Sequence, residues 1–396
     1  MAREFFVIFV LTLTLFNIPY TRSQESAYPV FASDLHVPTK VIILPDGLVM
    51  VAEAGSGKND GRLSLFDNTG ARHTLVEGLP SAPESVPDSF SGPNSVVVRD
   101  RTMFISIGIG DVLRPGSGMQ PGTGRALNPN PPSSPIFSSV LQVTFDRAIG
   151  FDLGPFLLSR SDHDQLAAGQ VVTLTNADGE QTEIKLVVNL LPDALPDSSV
   201  PGFRGPDPFD LVLDGRRPDV LYVIDGGLGR VVKVDLISRQ QQDFVKFDKL
   251  RKPPNVVLGP PLVDPIPTGA RQQGNWLYVA FLTGFPFVQR LSQIHRVNLD
   301  TGADEVFLKD LTSSVDVEPV GENTYYVLQL STNLLAIPPR QPAPGSLLRF
   351  DSNNAASGTV IADGLNLPNS MARHPASGEF LVVELGAGRI IRAMGQ

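Results

Sequence analysis

The stretch from Asp207 to Asp235, DPFDLVLDGRRPDVLYVIDGGLGRVVKVD, predicts three short β-strands in succession. The predicted strands are Phe209–Leu213, Val220–Ile224 and Arg230–Val234, and Gly, Pro, Asp and Arg separate them. Short apolar runs between such residues are typical of antiparallel strands joined by tight turns. Because one small sheet cannot bury both of its faces, a stable fold requires this unit to recur.

The same unit recurs five more times, and each copy has a polar residue where its first strand opens. These residues are Thr39, Asn94, Asp210, Thr268, Asp316 and Asn369, with separations of 55, 116, 58, 48 and 53 residues. A period near fifty residues corresponds to about four strands per unit. We therefore predict an all-β chain that forms a six-bladed β-propeller over residues 28–396. The long separation predicts an insertion in the second blade, at 111–206.

The ring of blades is predicted to close through the N-terminus. The sixth copy ends at its third strand, Arg389–Ala393, and the short apolar run Val30–Ala32 precedes the first copy. We expect Val30–Ala32 to supply the missing outer strand, which would leave no exposed sheet edge there. Within the insertion we predict a third strand at Val140–Thr144, a helix at Arg160–Ala168, and a hairpin formed by Val171–Thr175 and Thr182–Val188.

The N-terminal residues predict export. Met1–Phe16 contains Arg3 and the apolar run Phe5–Phe16, followed by polar residues, as in a signal peptide spanning 1–25. The run is shorter than the roughly twenty residues that cross a bilayer, although a membrane anchor is the alternative reading. We expect a secreted or periplasmic monomer without membrane contact after cleavage. The chain has no Cys, which excludes disulfides, and its net charge of -9 argues against nucleic-acid binding.

Several segments resemble the ScyD/ScyE family of exported six-bladed propellers, which belong with the NHL-like repeat proteins. The matching segments are Val51–Gly55, Gly92–Asn94, Asp207–Phe209, Pro267–Gly269 and Leu282–Phe287. They are spread over most of the mature chain in the order that the family shows. The resemblance implies the propeller fold but little about activity, because the biochemical role of the family is poorly defined. This chain departs from the family at Gln272–Asn275, where a Pro-Asp-Gly turn is usual, and in its long insertion.

Polar side chains are expected to form two rings on one face of the propeller. The first ring consists of the six polar residues that open the first strands. The first two strands of a blade form a hairpin, so the second strand ends on the face where the first begins. The second ring would contain Glu53, Asp225, Gln329 and Glu384 beside the apolar Ile107 and Phe281. We predict that a small ligand or a protein partner binds this polar channel mouth through Thr39, Glu53, Asp225, Thr268, Gln329 and Glu384.

Oxygen ligands of this kind suit Ca²⁺. The first-ring positions are similar to those where gluconolactonase and paraoxonase propellers hold a catalytic Ca²⁺, and this resemblance implies that Asn94, Asp210, Asp316 and Asn369 are metal ligands. Those enzymes also supply a Glu from the ring, which this chain lacks. Alternatively, Asn, Asp and Thr open these strands because their side chains cap the turns, and Asp225 and Glu384 pair with arginines such as Arg204 or Arg271.

Two classes of function therefore remain open. The first is a non-catalytic propeller, without catalytic residues, that binds a small ligand, cation or protein partner. The second is a Ca²⁺-dependent hydrolase of lactones or esters, with the metal as Lewis acid. Quinone-dependent sugar oxidation, known in related propellers, is disfavoured because the chain has only 5 His and 1 Trp. Blade three carries carboxylates in both rings, at Asp210 and Asp225, and would bind a cation first.

Overall fold

The computed structural model describes residues 26–84, 89–115, 125–193, 205–335, 342–351 and 358–395. Six antiparallel sheets of four or five strands follow one another along these residues. The predicted all-β, six-bladed β-propeller is therefore confirmed. The predicted signal peptide lies outside the described residues. Within the described part, no helix is both long enough and apolar enough to cross a membrane.

Each blade runs from an inner strand at the channel to an outer strand at the rim. Blade one contains Pro38–Ile43, Val49–Glu53, Gly61–Phe66 and Arg72–Leu79; blade two contains Pro93–Arg99, Thr102–Ile107, Ser139–Phe145, Gln181–Asn189 and Val172–Thr175; blade three contains Pro208–Leu213, Val220–Asp225, Arg230–Asp235 and Gln241–Lys246. Blade four contains Pro267–Gln273, Trp276–Phe281, Ser292–Asn298 and Asp304–Leu311; blade five contains Ser314–Val320, Thr324–Gln329, Gly345–Phe350 and Thr359–Leu365; blade six contains Pro368–Arg373, Glu379–Glu384, Arg389–Met394 and Val30–Ala32. Short two-stranded ladders pair Ala82–Pro83 with Phe90–Ser91, Leu113–Pro115 with Arg125–Leu127, and Leu250–Arg251 with Leu262–Val263.

The N-terminal strand belongs to the sheet of the last blade. Val30 lies opposite Ile391, and Ala32 lies opposite Ile390, in an antiparallel ladder. The chain then crosses directly to the inner strand of blade one. The first and sixth blades are thus joined by a short segment, 33–37, that runs over the face where the inner strands begin.

The insertion joins the outer edges of blades one and two. It contains the predicted hairpin, which extends the sheet of blade two, and a helix at Arg160–Ala167. Its strand Phe156–Leu157 pairs in parallel with the outer strand of blade one. The buried His163 of the helix lies 2.8 Å from the Gly78 carbonyl and 3.1 Å from Ser134 Oγ. The insertion therefore covers two sheet edges that would otherwise be exposed.

The core lies between neighbouring blades, which explains the apolar residues on both faces of the central strands. Every residue of Val220–Asp225 is buried. Leu221 belongs to the cluster that contains Phe104 of blade two, whereas Tyr222 belongs to the cluster that contains Leu277 of blade four. Successive side chains of a strand point to opposite faces, so each blade is packed on both sides.

Candidate functional site

The inner strands place their side chains at successive levels of the channel. In all six inner strands the pairing register shifts just after the first residue, so that one residue bulges. The bulged residues are Thr39, Asn94, Phe209, Thr268, Val315 and Asn369. The next level contains Lys40, Ser95, Asp210, Gly269, Asp316 and Ser370. Asp210 and Asp316 therefore lie one level deeper than the four residues with which the sequence grouped them, because the apolar Phe209 and Val315 occupy the bulges in blades three and five.

A buried ion pair crosses the channel between blades one and three. Lys40 Nζ lies 2.7 Å from Asp210 Oδ1 and 2.8 Å from Oδ2. Ser95 Oγ donates to Oδ1 at 2.6 Å, and the Ala270 backbone N–H donates to Oδ2 at 2.9 Å. Burial alone would raise the pKa of Asp210, but the positive charges of Lys40 and Arg271 lower it. The carboxylate is therefore held ionised by the protein's own cations.

Arg271 extends this pair into a network with blades five and six. Its Nη2 lies 3.1 Å from Asp316 Oδ2, its Nε donates to Glu318 Oε2 at 3.1 Å, and its Nη1 lies 3.5 Å from Asp210 Oδ2. Burial acts to lower the pKa of Arg271, but these three carboxylates raise it. Burial raises the pKa of Glu318, which Arg271 partly offsets. We call Lys40, Asp210, Arg271, Asp316 and Glu318 the axial cluster.

Gly269 makes room for the axial cluster. A Cβ atom at this position would lie 2.5 Å from Asp316 Oδ1 and 2.5 Å from the Val315 carbonyl oxygen. The space that remains between the residues of this level measures only 10 Å³, about the volume that one water molecule needs. The channel is therefore filled at this level.

The residues predicted to bind Ca²⁺ have other partners. Asp316 accepts from Arg271 and from the backbone N–H groups of Val317 and Met371. Asn94 Nδ2 donates to the Pro208 carbonyl at 3.0 Å, and Asn369 Nδ2 donates to the Thr39 carbonyl at 2.9 Å.

These partners do not fit a calcium site. Ca²⁺ takes six to eight oxygen ligands, whereas N–H donors and two protein cations surround the carboxylates of the axial cluster. No group of three or more His, Cys, Asp or Glu among the described residues could hold a metal. The metal assignment of Asn94, Asp210, Asp316 and Asn369 stays a prediction, and the charge of the axial cluster argues against it.

Three second-ring carboxylates, Glu53, Asp225 and Glu384, hydrogen-bond to the segment that leads into the inner strand of their own blade. Each accepts from a backbone N–H just before the inner strand and from the Arg that opens or nearly opens the third strand. The partners are His36 N at 2.7 Å and Arg62 for Glu53, Asp207 N at 2.8 Å and Arg230 for Asp225, and Asn366 N at 2.7 Å and Arg389 for Glu384. All three carboxylates are buried. For Asp225, burial outweighs its donors and raises its pKa. We call these three groups the entry clamps.

The remaining predicted ligand residues also bond within the protein. Thr39 Oγ1 donates to the Pro93 carbonyl at 2.7 Å, and Thr268 Oγ1 donates to the Ala280 carbonyl at 3.2 Å. Gln329 accepts from Ser346 Oγ at 3.0 Å. The threonine bonds link strands within and between blades, so they favour a structural role for these bulge positions.

An open cleft of 570 Å³ lies on the same face, between blades one and six. Its walls are the crossing segment 33–37, the turn at Gly55 and Ser56, the turn Ala387–Arg389, and the side chains of Val30 and Phe90. The exposed His36 lines it, and Ser33, Asp34 and Ser56 are also exposed. We call this the one–six cleft. The sequence does not indicate this cleft, because its walls come from several segments that are far apart in the chain.

Among the comparisons with known proteins, a solved structure with a TM-score above 0.5 supports the fold and nothing further. No family model and no curated protein matches this sequence, so the ScyD/ScyE resemblance stays a prediction. The PQQ-bound aldose sugar dehydrogenase of Streptomyces coelicolor is 12% identical over 92% of this chain and 96% of its own, with a TM-score of 0.51. A putative oxidoreductase (glucose dehydrogenase) of Thermus thermophilus is 14% identical over 92% and 98%, with a TM-score of 0.47. A chain of a nidogen/laminin complex is 8% identical over 88% and 94%, with a TM-score of 0.44. The chain is a propeller whose structural neighbours include dehydrogenases.

Proposed function

We propose that this chain is an exported, non-catalytic propeller that binds a small ligand in the one–six cleft. The observation that carries the proposal is the cleft itself. Its 570 Å³ falls within the roughly 300–1,000 Å³ of small-molecule sites, and it lies on the face where the sequence predicts binding.

The rest of that face supports the same assignment. The axial cluster fills the channel, and the entry clamps use their carboxylates for internal bonds. A ligand therefore meets the side chains of turns, which a rigid sheet scaffold holds in place, as in many binding proteins. The hydrolase alternative needs a hard cation at the channel, where Lys40 and Arg271 already supply positive charge.

The fold shared with an aldose sugar dehydrogenase does not transfer its activity, because one fold hosts many unrelated functions.

The test compares the full chain with two variants that fill the cleft from two of its segments, Ser33→Trp and Ser56→Trp. Ser161→Trp, on the exposed side of the insertion helix, is the matched control. Each protein is isolated from the exported fraction, checked for folding by thermal melting, and examined by native mass spectrometry for bound small molecules. We expect a bound species with the wild type and Ser161→Trp that both cleft variants lose.

Hydrolysis of 4-nitrophenyl acetate and of a γ-lactone is measured in parallel, with Ca²⁺ and with EGTA. We expect no Ca²⁺-dependent turnover. Turnover that needs Ca²⁺ and disappears in Asp210→Asn would replace the binding proposal with the hydrolase. Equal binding by wild type and both cleft variants would exclude the one–six cleft as the site.

A further inference from the structure

We infer that the one–six cleft takes a neutral molecule that carries both hydroxyl groups and an apolar ring. This inference rests on the proposed function and names the chemical class of its ligand. Two independent features of the described residues support it: the balance of charge around the cleft and the presence of both polar and apolar residues in its walls.

The first feature is the pairing of the charged residues that line the cleft. The Arg389 guanidinium bonds to the buried Glu384 carboxylate. Asp34 faces Arg72, whose Nη1 donates to the Asp34 carbonyl at 3.5 Å and which feels the charge of Asp34. The positive charge of Arg389 is therefore already matched by a carboxylate of the protein.

The balance around Asp34 involves an entry clamp. Glu53 accepts from two arginines, Arg62 and Arg72, so this group of three has one positive charge in excess. The carboxylate of Asp34 offsets that excess. Taken together, these side chains and the Arg389–Glu384 pair sum to zero charge, and the turn after Ser56 adds one charge of each sign, Asp60, which accepts from Ser56 Oγ at 2.6 Å, and Lys58.

A balanced wall disfavours ionic ligands. An ion that enters the cleft gives up part of its hydration, and this cost is repaid only by an unmatched opposite charge. A neutral ligand has a much smaller desolvation cost and needs only hydrogen bonds. The overall charge of -9 adds a weak repulsion for anions.

The second feature is the polarity of the walls. Ser33, Asp34, His36 and Ser56 supply hydroxyl, carboxylate and imidazole groups from exposed side chains. The apolar part of the lining consists of Val30, Leu35, Val37 and Phe90, and Val30 is 48% exposed. Hydroxyl groups of a ligand would bond to the first set, and a ring would cover the second.

The test uses three probes of equal size and different charge: 4-hydroxybenzyl alcohol, 4-hydroxybenzoate and 4-hydroxybenzylamine. Their binding to the full chain is measured at pH 7 by ligand-observed NMR titration. We expect the neutral alcohol to bind at least about fivefold more tightly than either ion, equivalent to about 1 kcal/mol. Ser33→Trp and Ser56→Trp should abolish its binding, and Ser161→Trp should not.

Asp34→Asn provides a second test of the charge balance. Asn has the same shape as Asp and tolerates the left-handed backbone of this position, φ 58°. The change leaves one excess positive charge. The affinity for the benzoate relative to that for the benzylamine should therefore rise by about fivefold to tenfold. An unchanged ratio would contradict the balance on which the inference depends.

The outcomes separate the two proposals. If an ionic probe binds more tightly than the alcohol and the cleft variants abolish its binding, the neutral class is wrong while the binding site stands. If no probe shows binding that depends on the cleft up to about 10 mM, the weakest affinity expected for such small molecules, the neutral class is wrong, and native mass spectrometry of the cleft variants decides the binding proposal.

Discussion

The axial cluster predicts a large effect of removing a single lysine. In Lys40→Met the aliphatic volume of the side chain is kept, but the ammonium group that contacts both oxygens of Asp210 is lost. The side chains of Lys40 and Asp210 are only 6% and 2% exposed, so water cannot replace the missing partner. The variant therefore leaves a buried carboxylate with reduced compensation.

The magnitude follows from what Asp210 retains. Breaking a buried ion pair by removing one partner costs about 3–5 kcal/mol. Asp210 keeps its bonds to Ser95 Oγ and the Ala270 N–H and a more distant contact with Arg271 at 3.5 Å. We therefore expect a loss near the lower end, about 3 kcal/mol, in the free energy of unfolding.

The pH dependence has a definite sign. Asp210 has a lower pKa in the folded protein than its ordinary 3.8, so its ion pair stabilises the fold fully above that value. This contribution is lost as the pH falls through the lowered folded pKa. The difference between wild type and Lys40→Met should thus be full at pH 7 and shrink below about pH 4.

Urea unfolding, followed by circular dichroism and by the fluorescence of Trp276, measures the effect. Lys249→Met is the matched control, because Lys249 forms a 3.0 Å pair with Asp264 in which the lysine is 55% exposed. Exposed pairs contribute about 0–1 kcal/mol. A cost for Lys40→Met below about 1 kcal/mol, or equal to that of the control, would refute the role of the axial cluster.

Three further changes test the rest of the structure. Gly269→Ala should destabilise the fold by about 1–3 kcal/mol in urea unfolding, since its Cβ would overlap the Asp carboxylate of blade five. Gly215→Ala, whose Cβ would have its nearest neighbour at 3.7 Å, should cost less than about 1 kcal/mol; equal costs would contradict the packing argument. Arg230→Met should cost about 3 kcal/mol because it removes the cation beside the buried Asp225, and an unchanged unfolding midpoint would exclude the clamp. Burial lowers the pKa of His163 below 6.5, so the neutral imidazole stabilises the fold fully above pH 6.5, and this stabilisation is lost as the pH falls. His163→Gln should therefore flatten the stability–pH curve between about pH 7 and pH 5. A curve as steep as that of the wild type would contradict this.

The strands were predictable because their signals are local. The predicted strand Val220–Ile224 appears as Val220–Asp225, since an apolar run between two turns needs no knowledge of distant residues. The helix predicted at Arg160–Ala168 appears at Arg160–Ala167, where Ser159 and Asp162 form a capping box. Propensity and turn chemistry act over a few residues, and a sequence displays them directly.

The channel could not be derived in the same way. A bulge displaces one residue without any residue type that marks it, so Phe209 took the level that the sequence assigned to Asp210. The partner of Asp210 is Lys40, 170 positions earlier. The sequence offers Arg271 as a partner of Asp225 or Glu384, whereas Arg271 binds Asp316, Glu318 and Asp210, and Arg204 lies outside the described residues. A lysine inside an apolar inner strand, such as Lys40, does indicate an ion pair, because a buried lysine requires a carboxylate nearby.

The axial cluster also explains why function should lie on the turns. Its side chains and the groups that they contact come from all six inner strands, so each blade depends on charges from the others. Altering one of these residues for a new ligand would leave a buried charge without its partner and weaken the whole ring. None of the side chains that line the one–six cleft belongs to the axial cluster. If the cleft binds a ligand as we propose, its specificity can change while the channel stays the same.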